Sequence, residues 1–309
     1  MKILLAEDDR VSRLLMQRIL ERFGYEVILA EDGRQAVEIL SRTDAPRLAL
    51  VDWMMPELDG IALCREVRGR QQDGHYVYLL LLTSKQNSED IVAGLEAGAD
   101  DYITKPCQPA ELRARLHTGR RILSLEEKLI EAREEMRFRA TRDALTVLWN
   151  RASILAMLRS ELERSSRERK SVSILLCDLD HFKHVNDNHG HLIGDMVLQE
   201  VATRLTASVR GYDAVGRYGG EEFLIVLGNC DHSDLEARSE EIRNAIASTP
   251  IQTGGAALCV SISIGAVTCG EAEAAIPIER ILARADAAMY RAKAEGRNRT
   301  AFADPFVIA

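Results

Sequence analysis

Across residues 1–118 five short apolar runs, at 3–6, 27–30, 48–52, 78–83 and 101–103, alternate with segments of helical periodicity. Strands separated by helices are joined by crossovers, so they lie parallel in one sheet with helices on both faces. In such a sheet ligands bind beyond the carboxyl ends of the strands. The polar residues fall there: Glu7 and Asp8 follow the first run, Asp52 ends the third, Thr83 ends the fourth and Lys105-Pro106 follows the fifth. Each has an ordinary explanation as a helix cap or turn. Their joint placement at strand ends argues instead for one acidic pocket.

With Asp52-Trp53-Met54-Met55-Pro56-Glu57-Leu58-Asp59-Gly60 added, residues 1–118 resemble the receiver domain of two-component response regulators. The resemblance implies a flavodoxin-like fold with a parallel five-stranded sheet, and Asp52 as phosphoacceptor for a cognate histidine kinase. It implies one Mg²⁺ held by Asp8, Asp52, the carbonyl of Met54 and, through water, Glu7. A carboxylate accepts a phosphoryl group as nucleophile only when the charge around it is neutralised. Lys105 is then expected to pair with the phosphoryl oxygens, Thr83 to close onto them through its hydroxyl, and Tyr102 to be the aromatic that changes rotamer. The Lys105-Pro106 bond is expected to be cis.

Farther along, Arg217-Tyr218-Gly219-Gly220-Glu221-Glu222-Phe223 sets two carboxylates on a glycine turn between apolar runs. A Gly-Gly pair so placed predicts a tight hairpin with positive φ angles, and it lets a nucleotide approach the backbone. The earlier run 174–187 reads as a buried strand that delivers Asp178 and Asp180 at its carboxyl end. If this strand pairs beside the hairpin, Asp178 meets Glu221 and Glu222, and such a cluster calls for a hard divalent cation.

These segments, with Asn186, Gly190-His191, Gly194-Asp195, Ala285-Asp286, Met289-Tyr290, Lys293 and Gly296-Arg297-Asn298, resemble the GGDEF family of diguanylate cyclases over residues 143–309. The resemblance implies an α+β domain like the nucleotidyl cyclase cores, working as a homodimer. Two GTP would be condensed to cyclic di-GMP with release of two pyrophosphates. Up to two Mg²⁺ per half-site would be held by Asp178, the carbonyl of Leu179, Glu221 and Glu222, with Glu221 also the proton acceptor. Lys183 would stabilise charge on the phosphates, Gly219 and Gly220 would approach the nucleotide, and Lys293 and Arg297 would reach the triphosphate from one face of the last helix. Guanine would be read by Asn186 and Asp195, and Asp195 could also cap a helix starting at Met196.

Arg210-Gly211-Tyr212-Asp213 matches the family's inhibitory product site, where Arg210 and Asp213 would grip cyclic di-GMP with Arg238 or Arg243 as a further arginine. The segment 143–151 resembles the family's opening motif, with Val147 in place of the usual glycine and Trp149 where proline is frequent. Two rival readings are a silent cyclic di-GMP receptor acting on a protein partner and a relaxed purine dinucleotide cyclase. Asp178, Glu221 and Glu222 argue against the first, and Asp195 against the second.

Between the domains, residues 119–142 contain no proline and place Ile122, Leu125, Leu129, Ala132 and Met136 at spacings of three and four. This is either one amphipathic helix packed against its own domain or, as the position between two domains favours, the seam of a coiled-coil linker. Gly119 reads either as a hinge or as a tolerated helix glycine. A net charge of −8 argues against a DNA-binding output, and no apolar stretch is long enough to span a membrane. The N-terminal run turns acidic at Glu7, too early for a signal peptide, so a cytoplasmic location is expected. Six scattered cysteines without metal-ligand spacing read as buried free thiols.

Overall fold

The computed structural model describes residues 1–70, 76–84, 88–254, 256–270 and 276–304. The last five residues of the expected cyclase domain lie outside the described residues. The chain divides into two compact units, Met1–Glu135 and Met136–Ala309.

In the first unit β1 (Lys2–Ala6), β2 (Glu26–Ala30), β3 (Leu48–Asp52), β4 (Tyr78–Thr83) and β5 (Asp101–Thr104) form one parallel sheet in the order β2-β1-β3-β4-β5. This is the flavodoxin-like order, whose reversal between β1 and β3 opens a crevice at their carboxyl ends. The connecting helices are α1 (Arg10–Arg22), α2 (Gly33–Leu40), α3 (Gly60–Arg70) and α4 (Ser88–Glu96). β3 and β4 are buried at every position because both sheet faces are covered. Leu4, Val51 and Leu79 pack on one side, while Ile3, Leu5, Leu50 and Leu80 pack on the other. α5 (Pro109–Thr141) adds Leu112, Leu116 and Leu123 to this second layer. Gly119 lies inside α5 without interrupting it, and a Cβ there would fall 2.6 Å from the Tyr78 ring. Close packing, rather than a hinge, is what this glycine serves.

The second unit begins with α6 (Arg151–Glu168) and β6 (Val172–Leu179), then α7 (Phe182–His189), α8 (His191–Ala207), β7 (Ala214–Gly219), β8 (Glu222–Gly228) and α9 (His232–Ala247). The short pair β9 (Ile251–Thr253) and β10 (Ala256–Leu258) precedes β11 (Ile262–Cys269), α10 (Ile278–Ala294) and β12 (Thr300–Phe302). The main sheet has the order β12-β11-β6-β8-β7, antiparallel except between β11 and β12. Central β6 is buried along its whole length, and alternate residues enter opposite cores. Leu175 and Cys177 face α8 and α9, and Ile174 and Leu176 face α6 and α10.

Two local expectations are corrected. α8 starts at His191 rather than Met196, because Gly190 at φ 83° ends α7 and the chain turns directly into the next helix; Asp195 is therefore inside α8 and does not cap it. α10 ends at Ala294, and Gly296 at φ 115° turns the chain, so Arg297 lies beyond the helix and not one turn from Lys293 on its face. The six cysteines are unpaired, but Cys259 is exposed and Cys107 only half-buried. No helix among the described residues is long and apolar enough to cross a membrane.

Candidate active site and phosphoacceptor pocket

At the carboxyl ends of β1 and β3, carboxylate oxygens of Glu7, Asp8 and Asp52 come within 4.8 Å of one another. Glu7 and Asp52 are buried and Asp8 is exposed. Lys105, after β5, donates from Nζ to Glu7 Oε2 at 2.7 Å and to Asp52 Oδ2 at 2.8 Å. Burial pushes the Glu7 carboxyl above its usual range against the pull of Lys105. Burial lowers the Lys105 pKa, but its hydrogen bonds to Asp52 and Glu7 outweigh that and raise it overall. Three carboxylates this close together are the donor set of a hard cation such as Mg²⁺. Thr83 is fully buried and its carbonyl accepts from the Lys105 amide, and the Lys105-Pro106 bond that follows is cis. Tyr102 is half-buried on β5, and Met54 is exposed beside Asp52.

In the second unit the pairing of β6 with β8 sets Asp178 opposite Glu222, and the Leu179 amide donates to the Glu221 carbonyl at 3.3 Å. The hairpin turns at Gly220-Glu221, and of the two glycines only Gly220 takes a positive φ, at 46°. Asp178 is buried and lies 2.8 Å from the Lys293 ammonium. Its pKa is raised, chiefly by burial, with Lys293 and Arg297 opposing. Glu222 is also pushed up by burial and by the Asp178 charge. Among the described residues no three ligand atoms of these acids come within 4.8 Å of one another, and the charge partner of Asp178 is Lys293.

Lys183 is exposed on the first turn of α7. Asn186 lies against Gly194, the residue before Asp195: its Oδ1 is 1.9 Å from where a Cβ on Gly194 would stand, so α7 and α8 close tightly there. The Arg210 amide donates to Asp213 Oδ2 at 2.9 Å, and Arg238 approaches the same oxygen at 3.4 Å. Arg243 points elsewhere, to Glu240 and Asn298. Of the two arginines, Arg238 is therefore the one beside Asp213.

Several organising residues escaped the sequence reading. Arg13 is buried on α1 and donates to the carbonyls of Glu7 and Asp8 at 2.7 and 3.0 Å, which fixes the acidic loop. Its only sequence signal is an arginine on a helix face that also carries buried Leu20. Arg217 donates from Nε to the Gly220 carbonyl at 2.9 Å and from Nη1 to Asp143 at 3.1 Å, tying the hairpin to the segment after α5. In that segment Val147 adopts φ 62°, the conformation that the replaced glycine reaches freely, and Arg142 stacks on Trp149 at 3.6 Å.

Comparison with known proteins accords with this geometry. Residues 140–299 match the family model described as "Diguanylate cyclase, GGDEF domain", and residues 3–117 match the response regulator receiver domain. Response regulator PleD of Caulobacter vibrioides is 32% identical over 302 residues, 96% of this chain and 64% of that protein. The chain thus spans less than two thirds of this relative's length. The crystal structure of the coiled coil and GGDEF domain of DgcB from Caulobacter crescentus, in complex with c-di-GMP, is 30% identical with a TM-score of 0.55, covering 62% of this chain and 99% of that one. Diguanylate cyclase SiaD of Pseudomonas aeruginosa, crystallised with its activator SiaC, is 34% identical with a TM-score of 0.52, covering 63% and 74%. The chain belongs to the GGDEF family of diguanylate cyclases and carries a response regulator receiver domain ahead of its GGDEF domain.

Proposed function

We propose that this protein is a diguanylate cyclase switched by phosphorylation of Asp52, with a receiver over 1–118, a helical linker over 119–142 and a cyclase over 143–309. The observation that carries the reading is the β6–β8 register, which sets Asp178 opposite Glu222 with Glu221 at the hairpin turn. In the reaction the 3′-oxygen of each GTP forms a bond to the α-phosphorus of the other. The bond from that phosphorus to pyrophosphate breaks, and each hydroxyl proton passes to a base. Glu221 is that base. Lys183, Lys293 and Arg297 balance triphosphate charge, with Lys293 turning from Asp178 to phosphate. Asp178, the Leu179 carbonyl, Glu221 and Glu222 fit a hard cation by donor type, and Mg²⁺ bound there would neutralise the phosphates. Asn186 and Asp195 read guanine.

Each chain offers half of a site, so the working form is a homodimer. The exposure of Ile122, Leu125, Leu129 and Met136 along α5 supports pairing through a coiled coil. In the receiver, Asp52 accepts the phosphoryl group from a histidine kinase, Lys105 pairs with it, and Thr83 and Tyr102 respond. Mg²⁺ would be held there by Glu7, Asp8, Asp52 and the Met54 carbonyl. Arg210, Asp213 and Arg238 bind cyclic di-GMP as feedback inhibitor. With GTP as substrate, the reaction belongs in the cytoplasm.

The test is incubation of the pure chain with GTP and Mg²⁺, with and without beryllofluoride, and identification of the product. Cyclic di-GMP is expected, at a higher rate with beryllofluoride, and Glu221→Gln should lower turnover by roughly 10²–10⁴. Absence of the product under both conditions would refute the activity.

A further inference from the structure

We infer that Asp180 and Arg243 are positioning residues that act through Asn298 to hold Arg297 toward the triphosphate of GTP. This rests on the proposed contact between Arg297 and that triphosphate.

Three consecutive residues after α10 have positive φ: Gly296 at 115°, Arg297 at 60° and Asn298 at 47°. Glycine enters this region freely and asparagine tolerates it, but an arginine there is crowded by its own Cβ. Such a conformation persists only where its surroundings over-determine it. Asn298 is exposed, so burial of the turn in the core does not supply the constraint. The Arg297 amide donates back to the Ala292 carbonyl at 3.0 Å, and polar contacts to Asn298 complete the constraint from two sides.

On one side, the Asn298 amide donates to Asp180 Oδ2 at 3.0 Å. Asp180 is buried and firmly aimed: Ser261 Oγ donates to Oδ2 and Ser263 Oγ to Oδ1, each at 2.6 Å, and its own amide donates to the Ser261 carbonyl. On the other side, Arg243 on α9 donates from Nη1 to Asn298 Oδ1 at 2.7 Å. Its guanidinium is set by Glu240, which accepts from Nε at 3.0 Å and from Nη2 at 2.8 Å. Asn298 is thus gripped at its backbone by the β6 end and at its side chain by α9. Asp180 lies two residues from Asp178, so one short segment sets both the metal-side carboxylate and the turn that carries Arg297. The Arg297 charge is felt at Asp178. Released from the clamp, Arg297 would relax toward a right-handed conformation and turn its guanidinium away.

The experiment measures, on the full chain, the affinity for the α,β-methylene analogue of GTP with Mg²⁺ by calorimetry. This analogue binds as a triphosphate but cannot lose pyrophosphate. Asn298→Ala and Arg243→Gln should each weaken binding about tenfold, as expected for loss of a charge-assisted hydrogen bond. Asn298→Asp keeps an acceptor for Arg243 and should restore most of the affinity. In an Arg297→Ala background the same substitutions should add nothing, since they act through that residue. Full additivity alongside a weakened Arg297→Ala would overturn the clamp while leaving the phosphate contact intact. Unchanged affinity in Arg297→Ala alone would overturn the phosphate contact, and the clamp with it. Asn298 is exposed, so its variants carry the test even if Arg243→Gln fails to fold.

Discussion

The Lys293 ammonium lies 2.8 Å from the Asp178 carboxylate, with side-chain exposures of 29% and 11%. Removing one member of a partly buried pair leaves the other poorly solvated, whereas removing both is far less costly. We expect Lys293→Met to destabilise the protein by about 1–2 kcal/mol, discounted for the partial exposure of the lysine. The double variant Asp178→Asn, Lys293→Met should recover most of the loss. Thermal denaturation of the four proteins measures this, and simple addition of the two single losses would show that the charges are not coupled.

Asp52 is followed directly by Trp53, which is buried against the same strand end. Mg²⁺ and beryllofluoride are therefore expected to change tryptophan emission. Asp52→Asn should abolish the beryllofluoride response in both fluorescence and cyclic di-GMP synthesis. A variant that still accelerated with beryllofluoride would show that the input acts elsewhere.

Val147 combines a β-branched side chain, φ 62° and 54% exposure. A left-handed conformation costs a non-glycine residue about 1–2 kcal/mol, and glycine gives back about 0.5–1 kcal/mol through its greater unfolded-state freedom. Val147→Gly should therefore raise stability by roughly 0.5–1 kcal/mol. A lower melting temperature in this variant would mean that contacts of the valine outweigh its strain.

Asp143 accepts from the Thr146 amide and hydroxyl and from Arg217. Burial alone would raise its pKa, but these partners outweigh burial and hold it below the ordinary aspartate value. A depressed folded-state pKa gives stability that is complete above the unfolded value and is lost as the pH falls through the folded one. Asp143→Asn should therefore melt lower than wild type at neutral pH. The gap should narrow only in acid, below the ordinary aspartate pKa. A gap independent of pH down to that range and beyond would rule out ionisation of Asp143 as its source.

The flavodoxin-like sheet was readable because central β3 and β4 are apolar runs, which is what burial on both faces requires, and because Asp52, Thr83 and Lys105 stand at strand ends. β6 and the Gly219-Gly220 hairpin were readable for the same local reasons, and with them the pairing that brings Asp178 to Glu222. Helix limits were less legible. The start of α8 and the end of α10 depend on backbone turns at Gly190 and Gly296, and an isolated glycine does not announce which φ it takes.

By itself, then, the sequence determined the alternation of elements, the acidic and basic residues offered at their ends, and the family to which they belong. Only the tertiary structure decided which partner each of those groups takes. Lys293 faces Asp178, Arg13 ties down the Glu7 loop, Arg217 bridges Asp143 to the hairpin, and Arg243 selects Asn298 rather than Asp213. The reason is physical: periodicity and turn chemistry act over a few residues. A buried carboxylate or guanidinium, in contrast, finds its hydrogen bonds across the sheet, where register and helix packing set distances that no local pattern encodes.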